Sequence, residues 1–277
     1  MNKGILGNAR ARGVDPSRPI ATRAEAYAGT DRGLVITPET MHLSRRGTGR
    51  AWFWELFNDF AMTASGQNAG SDGCLFFDQS SGGTSNLSTF NAKFDNFPGR
   101  VGAGLLGLAT GATSTGRGGF DSTLAIATHR YDTGTTFFES LVYVPTLADA
   151  TDDYVFRIGY CYGSGIQNEQ MGIEYNRSNS ANWVGLCSKI GVHTRFDTGV
   201  PVEAAKWVRL RMQWNDATAL VQVNDYAPVG GSTADIRTDG ASRIGGHIIK
   251  TAGTTSRMVV IDYIYCRHDF NQERTYT

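Results

Sequence analysis

The stretch 206-KWVRLRMQWNDATALVQVNDY-226 decides the fold. In its first half, Val208, Leu210 and Met212 fall on one side, and Trp207, Arg209, Arg211 and Gln213 on the other. A period of two belongs to an extended strand with one face in a core and one toward solvent. The run 219-ALVQVNDY-226 is a second strand, and the polar 215-NDAT-218 between them suits a hairpin turn.

The same texture extends outward. In 135-TTFFESLVYV-144, Phe137, Glu139, Leu141 and Tyr143 alternate with Phe138, Ser140, Val142 and Val144, and Pro145 stops the strand. Further strands are expected at 154-YVFRIGYCY-162, 170-QMGIEYN-176, 182-NWVGLCSK-189 and 257-RMVVIDYIYCR-267. Upstream, 97–120 is apolar stretches broken by glycine, 74-CLFF-77 is an apolar island between polar loops, and the aromatic 51-AWFWELFNDF-60 reads as a first strand, with a buried amphipathic helix as its rival. At least seven strands at spacings of about 10 to 20 residues, with no long helical period, predict an antiparallel sandwich or barrel.

The composition agrees. Glycine is abundant at 34 residues and proline scarce at 7, as expected of short strands joined by tight turns. The 26 basic and 26 acidic residues cancel, which gives no electrostatic reason to propose nucleic acid as a partner. No run of about 18 apolar residues exists, so no membrane insertion is expected. Residues 1–20 contain no apolar segment of a secretory signal, and folding in a cytoplasm is expected. Cys74, Cys161, Cys187 and Cys266 lie far apart, without zinc-ligand spacing, and are expected to be reduced and mostly buried.

The N-terminal region differs. Residues 1–20 carry four basic residues, three glycines and two prolines against one acid, and read as an irregular arm or a plain disordered terminus. Residues 21–50 hold two helix starts: Thr22 with Glu25 as a capping box, and Thr37-Pro38-Glu39 as an N-cap, first-turn proline and acid. Helices this short are marginal alone, so Ala24, Leu34, Ile36, Met41 and Leu43 are expected to bury against a partner or against the β domain.

Several segments carry a resemblance. In order they are 55-ELFNDF-60, 97-FPGRV-101, 108-LATGATSTGRGG-119, 138-FESLVYVPTLADATDDYVFRIGY-160, 171-MGIEYN-176, 182-NWVGLC-187, 197-DTGVPVEAAKWVRLRMQWN-215, 220-LVQVND-225 and 254-TTSRMVVIDYI-264. Their succession resembles the concanavalin A-like jelly roll of tailed-bacteriophage fibre and spike proteins. Ala24, Ala26, Gly29 and Asp31, followed by Ile36-Thr37-Pro38, are similar to a short module of phage fibres that sits in or beside trimeric shafts. The resemblance implies an all-β, antiparallel concanavalin A-like jelly-roll sandwich over 51–277, preceded by an irregular arm (1–20) and two short helices (21–50). It implies a homotrimeric structural virion protein, held to capsid, collar or tail proteins through residues 1–50, whose jelly roll binds bacterial surface polysaccharide. Weak single sites would then act through avidity.

Jelly rolls of this type include glycan hydrolases, whose two carboxylates must stand close together. The Glu-x-Asp-x-(x)-Glu run that the family's enzymes resemble is absent. Glu169 and Glu174 are five apart and fall on opposite strand faces, while Glu139 and Glu174 are left as a pair that could meet only across strands. No Gly-x-Ser-x-Gly occurs, the five histidines show no metal spacing, and Gly-rich 111–119 lacks the Lys-Ser/Thr ending of a phosphate loop. Asp149, Asp152 and Asp153 lack the alternation of a calcium loop. No enzyme, no metal and no cofactor are therefore expected. A glycan site wants Trp or Tyr beside planar polar groups. Trp183 with Asn182, and Arg209, Arg211 and Gln213 joined by Arg157 and Glu174, are the candidates. A depolymerase on the same fold, or a decoration protein with no receptor, are the rival readings.

Overall fold

In a computed structural model the described residues are 51–57, 67–69, 75–78, 87–90, 105–122, 134–162, 170–189, 192–233 and 242–270. The proposed arm, the two short helices and Ala24, Leu34, Ile36, Met41 and Leu43 lie outside them. The chain divides into two compact units, Met1–Phe53 with His268–Thr277, and Trp54–Arg267; the second carries the buried apolar core.

The described strands are β1 (Ala51–Phe57), β2 (Gln67–Ala69), β3 (Leu75–Asp78), β4 (Leu87–Phe90), β5 (Leu105–Ala109), β6 (Arg117–Ser122), β7 (Gly134–Tyr143) and β8 (Tyr154–Tyr162). They continue as β9 (Gln170–Asn176), β10 (Ser180–Lys189), β11 (Val192–Pro201), β12 (Trp207–Trp214), β13 (Thr218–Val223), β14 (Val229–Ser232), β15 (Ser242–Lys250) and β16 (Met258–Phe270). Sheet I runs β14-β13-β12-β7-β16-β5-β4, with β1 beside β16; sheet II runs β11-β10-β9-β8-β15-β6-β3-β2. β12 pairs antiparallel with β13 and β7, as β8 does with β15 and β9, and the fold is the expected all-β jelly-roll sandwich. Among the described residues no helix is long and apolar enough to cross a membrane.

The 215–218 turn closes as its residues require. Asn215 Oδ1 accepts the N–H groups of Ala217 and Thr218 at 2.9 and 2.8 Å, which folds the chain back so that Trp214 faces Ala219. The period-two pattern of β12 then points Val208, Leu210, Met212 and Trp214 into the core. Phe138 and Val142 on β7 point the same way. The two sheets meet through aromatic edges: Tyr160 on sheet II sits 4.9 Å from Trp214 and 6.4 Å from Phe138, both T-shaped. Gly185 and Gly231 let the sheets close up, since a Cβ on Gly185 would lie 2.4 Å from Val221 and one on Gly231 2.2 Å from Phe196. Cys187 and Cys266 are buried thiols outside any disulfide.

Five elements escape the sequence reading. β2 and β4 lie in the stretch read as polar loops around 74–77, β11 and β14 are edge strands with little apolar content, and β15 is interrupted by Gly245-Gly246. β15 nevertheless lies inside sheet II, between β8 and β6.

Candidate functional site

With Ile158, Ile173 and Ile248 in the core, the alternate residues of β8, β9 and β15 project from the outer face of sheet II. Register aligns two rows there. His247 is opposite Arg157, and Arg157 opposite Glu174. Two residues along the strands, about 7 Å away, Gly245 is opposite Gly159, and Gly159 opposite Gly172. The second row has no side chains and is buried, a strip of backbone about 10 Å wide across three strands. Gly159 has φ +148°, and a Cβ there would lie 2.3 Å from the Met171 carbonyl oxygen and 2.5 Å from the Gly172 Cα. Close approach of β8 and β9 therefore requires glycine at this position.

The other row is charged. Glu174 is fully buried and accepts Arg157 Nε at 2.7 Å and Arg195 Nε, from β11, at 2.9 Å, with Asn179 Nδ2 at 3.4 Å. Burial alone would raise its pKa, but Arg157 and Arg195 more than offset that and hold it below the ordinary glutamate value. Glu174 is thus a fixed anion that orients two guanidinium groups. Arg195 keeps 30% of its side chain exposed.

His247 is 2% exposed, and neither ring nitrogen has a hydrogen-bond partner. Burial first, then the charges of Arg157 and Arg117, hold its pKa well below the ordinary value. At neutral pH it is an uncharged imidazole with an unused acceptor. Arg117 Nε also lacks a partner. At the β10–β11 end of the same face, Ser188 Oγ lies 2.6 Å from His193 Nδ1.

The sequence candidates are split by the sandwich. Arg157 and Glu174 belong to the face just described. Arg209, Arg211 and Gln213 project from the outer face of sheet I, where Arg211 Nε donates to Glu139 Oε2 at 2.5 Å and Arg209 pairs with Asp225. Trp207 shares that face but packs on Tyr143, ring centroids 5.1 Å apart, beside Val260 and Met258. Glu139 and Glu174 therefore stand on opposite outer faces and form no hydrolytic pair. Trp183 is corrected as a glycan contact: it has no exposed surface and packs against Phe156 and Tyr175 in the core. Glu174, fully buried, is likewise an anchor for Arg157 and Arg195 and not itself a contact surface. Asn182 lies at the β10–β11 margin, its amide donating to Asp197 at 2.8 Å. Asp149 and Asp152 are engaged by Arg257 and by backbone N–H groups of Thr151, Asp152 and Thr255. The glycine loop 111–116 joins β5 to β6, and its Gly111 carbonyl accepts Lys250 Nζ at 2.6 Å.

His247, Arg117, Arg195 and the glycine row were missed. The only signal was local alternation in 243-RIGGHIIK-250, where Ile244, Gly246 and Ile248 share one side and Gly245, His247 and Ile249 the other.

Residues 102–262, more than half of the chain, match the family described as SO2946-like, C-terminal domain. Among solved structures, SO2946 from Shewanella oneidensis MR-1, a protein of unknown function, is similar at a TM-score of 0.58 and 16% identity, over 90% of this chain and 100% of that one. The family 7 alginate lyase A1-II′ matches at 0.43 and 10% identity, over 80% of this chain and 96% of its own. The binding domain of botulinum neurotoxin DC, solved with SialylT, matches at 0.44 and 10%, over 74% of this chain and 45% of that one. No curated protein matches the sequence. With polysaccharide lyases among the structures matched, the expectation that the chain is not an enzyme is corrected. That expectation rested on the absence of the carboxylate pair that glycoside hydrolysis uses.

Proposed function

For a chain that belongs to the SO2946-like C-terminal domain family, we propose that the function is recognition of an acidic glycan on the outer face of sheet II. The observation that carries it is His247, buried with both ring nitrogens unpartnered, in one row with Arg157 and Glu174 and in the field of Arg117. Buried polar atoms are normally satisfied by protein, water or ligand, so the unmet imidazole of His247, 2% exposed, is a place that a bound group or water completes. Arg157 and Arg195 gather around the buried Glu174 and Arg117 acts on His247, while Asp121 of β6 is in register with Gly245 at the end of the glycine row; the three guanidinium groups favour an anion. A uronate residue supplies such an anion, a carboxylate for the guanidinium groups.

A second reading, cleavage of that glycan, is favoured by the charge state of His247. An uncharged imidazole can take the ring proton beside a uronate carboxylate. The electron pair then forms a C=C bond as the glycosidic oxygen leaves and takes up a proton. Arginines facing the carboxylate stabilise the charge that develops there.

The biological setting we propose is the one the N-terminal and jelly-roll resemblance suggests. It is a homotrimeric structural protein of a tailed bacteriophage, attached to other virion proteins through residues 1–50 and presenting the sandwich to host surface polysaccharide. Affinity electrophoresis in gels containing uronate-rich or neutral polysaccharides tests the glycan reading. Selective retardation by the uronate-rich gels, weakened by salt, is expected; equal mobility in all gels would overturn it. Ultraviolet absorbance of new C=C bonds, lost in His247→Asn, distinguishes cleavage from binding.

A further inference from the structure

The outer face of sheet I carries a cavity of about 280 Å³, on the far side of the sandwich from the row of His247. Cross-strand register builds its floor from two rows. Gln222, Arg211 and Glu139 form one, and Leu220, Gln213 and Phe137 the other. Pro228, Tyr265 and Arg267 complete the wall.

The first row is polar, internally paired and neutral. Glu139 meets Arg211 through one carboxylate oxygen and the Tyr263 hydroxyl through the other, and Arg211 Nη1 reaches Gln222 Oε1 at 3.3 Å. The second row offers apolar surface. Leu220 is 42% exposed, and the Phe137 ring lies under the Arg267 guanidinium, 5.2 Å from its centroid. Gln213 stands exposed between them. These walls combine apolar and aromatic patches with planar amides in a space just below the ~300 Å³ lower end of small-molecule sites. A ligand with one apolar face and a rim of hydroxyls satisfies both halves. A phosphate or carboxylate finds Arg211 already neutralised and the Arg267 guanidinium engaged over the Phe137 ring, and a purely apolar ligand would strip water from Gln213 and Gln222 without replacing it.

We infer that this cavity is a second carbohydrate site, selective for one or two rings of an uncharged sugar. It is independent of the acidic-glycan face. A chain with both would hold a mixed polysaccharide from two sides of one domain, or cross-link two strands of it.

The test is methyl-resolved NMR of the full-length chain titrated with the methyl glycosides of glucose, galactose and mannose, following Met212 and Leu220. Saturable shifts at these methyls with at least one glycoside are expected. Gln213→Ala and Leu220→Arg, both at exposed positions, are expected to weaken that binding roughly tenfold, the loss of about one hydrogen-bonded or apolar contact. His247→Asn is expected to leave it unchanged. No saturable shift with any of the three sugars, or equal affinity in both cavity variants, overturns the inference. Loss of binding in His247→Asn alone would assign the sugar to the other face and overturn it too.

Discussion

Arg157 Nε donates to Glu174 Oε2 at 2.7 Å across the β8–β9 pair, and Glu174 has no exposed surface. One fully desolvated carboxylate therefore fixes the guanidinium beside His247. Glu174→Gln leaves Arg157, 11% exposed, without its counter-charge. Breaking a buried pair on one side costs about 3–5 kcal/mol, and a fall of that size is expected in the urea unfolding free energy. Arg195→Ala, with its side chain 30% exposed, is expected to cost about 1 kcal/mol or less. A glutamine variant as stable as the parent would show that the pair is dispensable.

Two protonation steps are expected in stability against pH, both lowering it on acidification. His247 in the native chain has a depressed pKa, whereas in the unfolded chain it titrates near about 6.5. Below that pH the unfolded state binds the extra proton, so stability declines until native His247 also titrates. His193, depressed first by burial and then by Arg195 and Arg157, adds to the same step. Glu174 contributes fully above its unfolded value of about 4.3 and loses its contribution as pH falls through its lower native pKa. Urea midpoints across this range read both steps: His247→Asn should shrink the upper one and Glu174→Gln the lower. Parallel curves for both variants would contradict these assignments.

Gly159→Ala should be severe. The added Cβ meets backbone of β9 at 2.3 and 2.5 Å, where nothing flexible can yield. Overpacking and backbone strain together predict a loss of about 2–5 kcal/mol. Gly199→Ala is the control: φ is +69° but no atom lies within 4 Å, so only the conformational cost of about 1–2 kcal/mol applies. Thermal unfolding of the two variants side by side reads the difference. Equal losses would mean that the glycine row is not set by close strand approach.

The proposed fibre setting makes its own prediction about mass in solution. The full-length chain is expected to be a trimer, and a chain starting at Arg50 a monomer or a weaker assembly. Light scattering after size exclusion measures both. A monomeric full-length chain would remove the threefold proposal and leave the sheet II site untouched.

The sandwich was legible because β7 and β12 alternate strictly: on β12 the period of two set Leu210 and Met212 on the core side, while on β7 it separated the two faces and the structure puts Phe138 and Val142 in the core. Trp183 was misread because the neighbouring Asn182 suggested an exposed edge, while β10 is buried on both faces around it. The site was half legible. Arg157 and Glu174 were visible as candidates, but His247 is ninety residues beyond Arg157 (247 − 157 = 90) and joins it only through the β8–β15 register. Register between strands distant in sequence is a tertiary property, and Gly245-Gly246 masked the strand that supplies it. The same limit mixed two faces: Arg211 and Arg157 both alternate outward, but on opposite sheets.

That an acidic glycan meets the outer face of sheet II is tested most directly by calorimetric titration of the full-length chain with an oligouronate, beside Arg117→Ala and a neutral oligosaccharide of equal length. Saturable binding of the oligouronate is expected, weakened about tenfold or more in Arg117→Ala through loss of a charge-assisted contact. No competition from the neutral oligomer is expected. Equal affinity in the variant, or equal binding of the neutral oligomer at the same site, would contradict it.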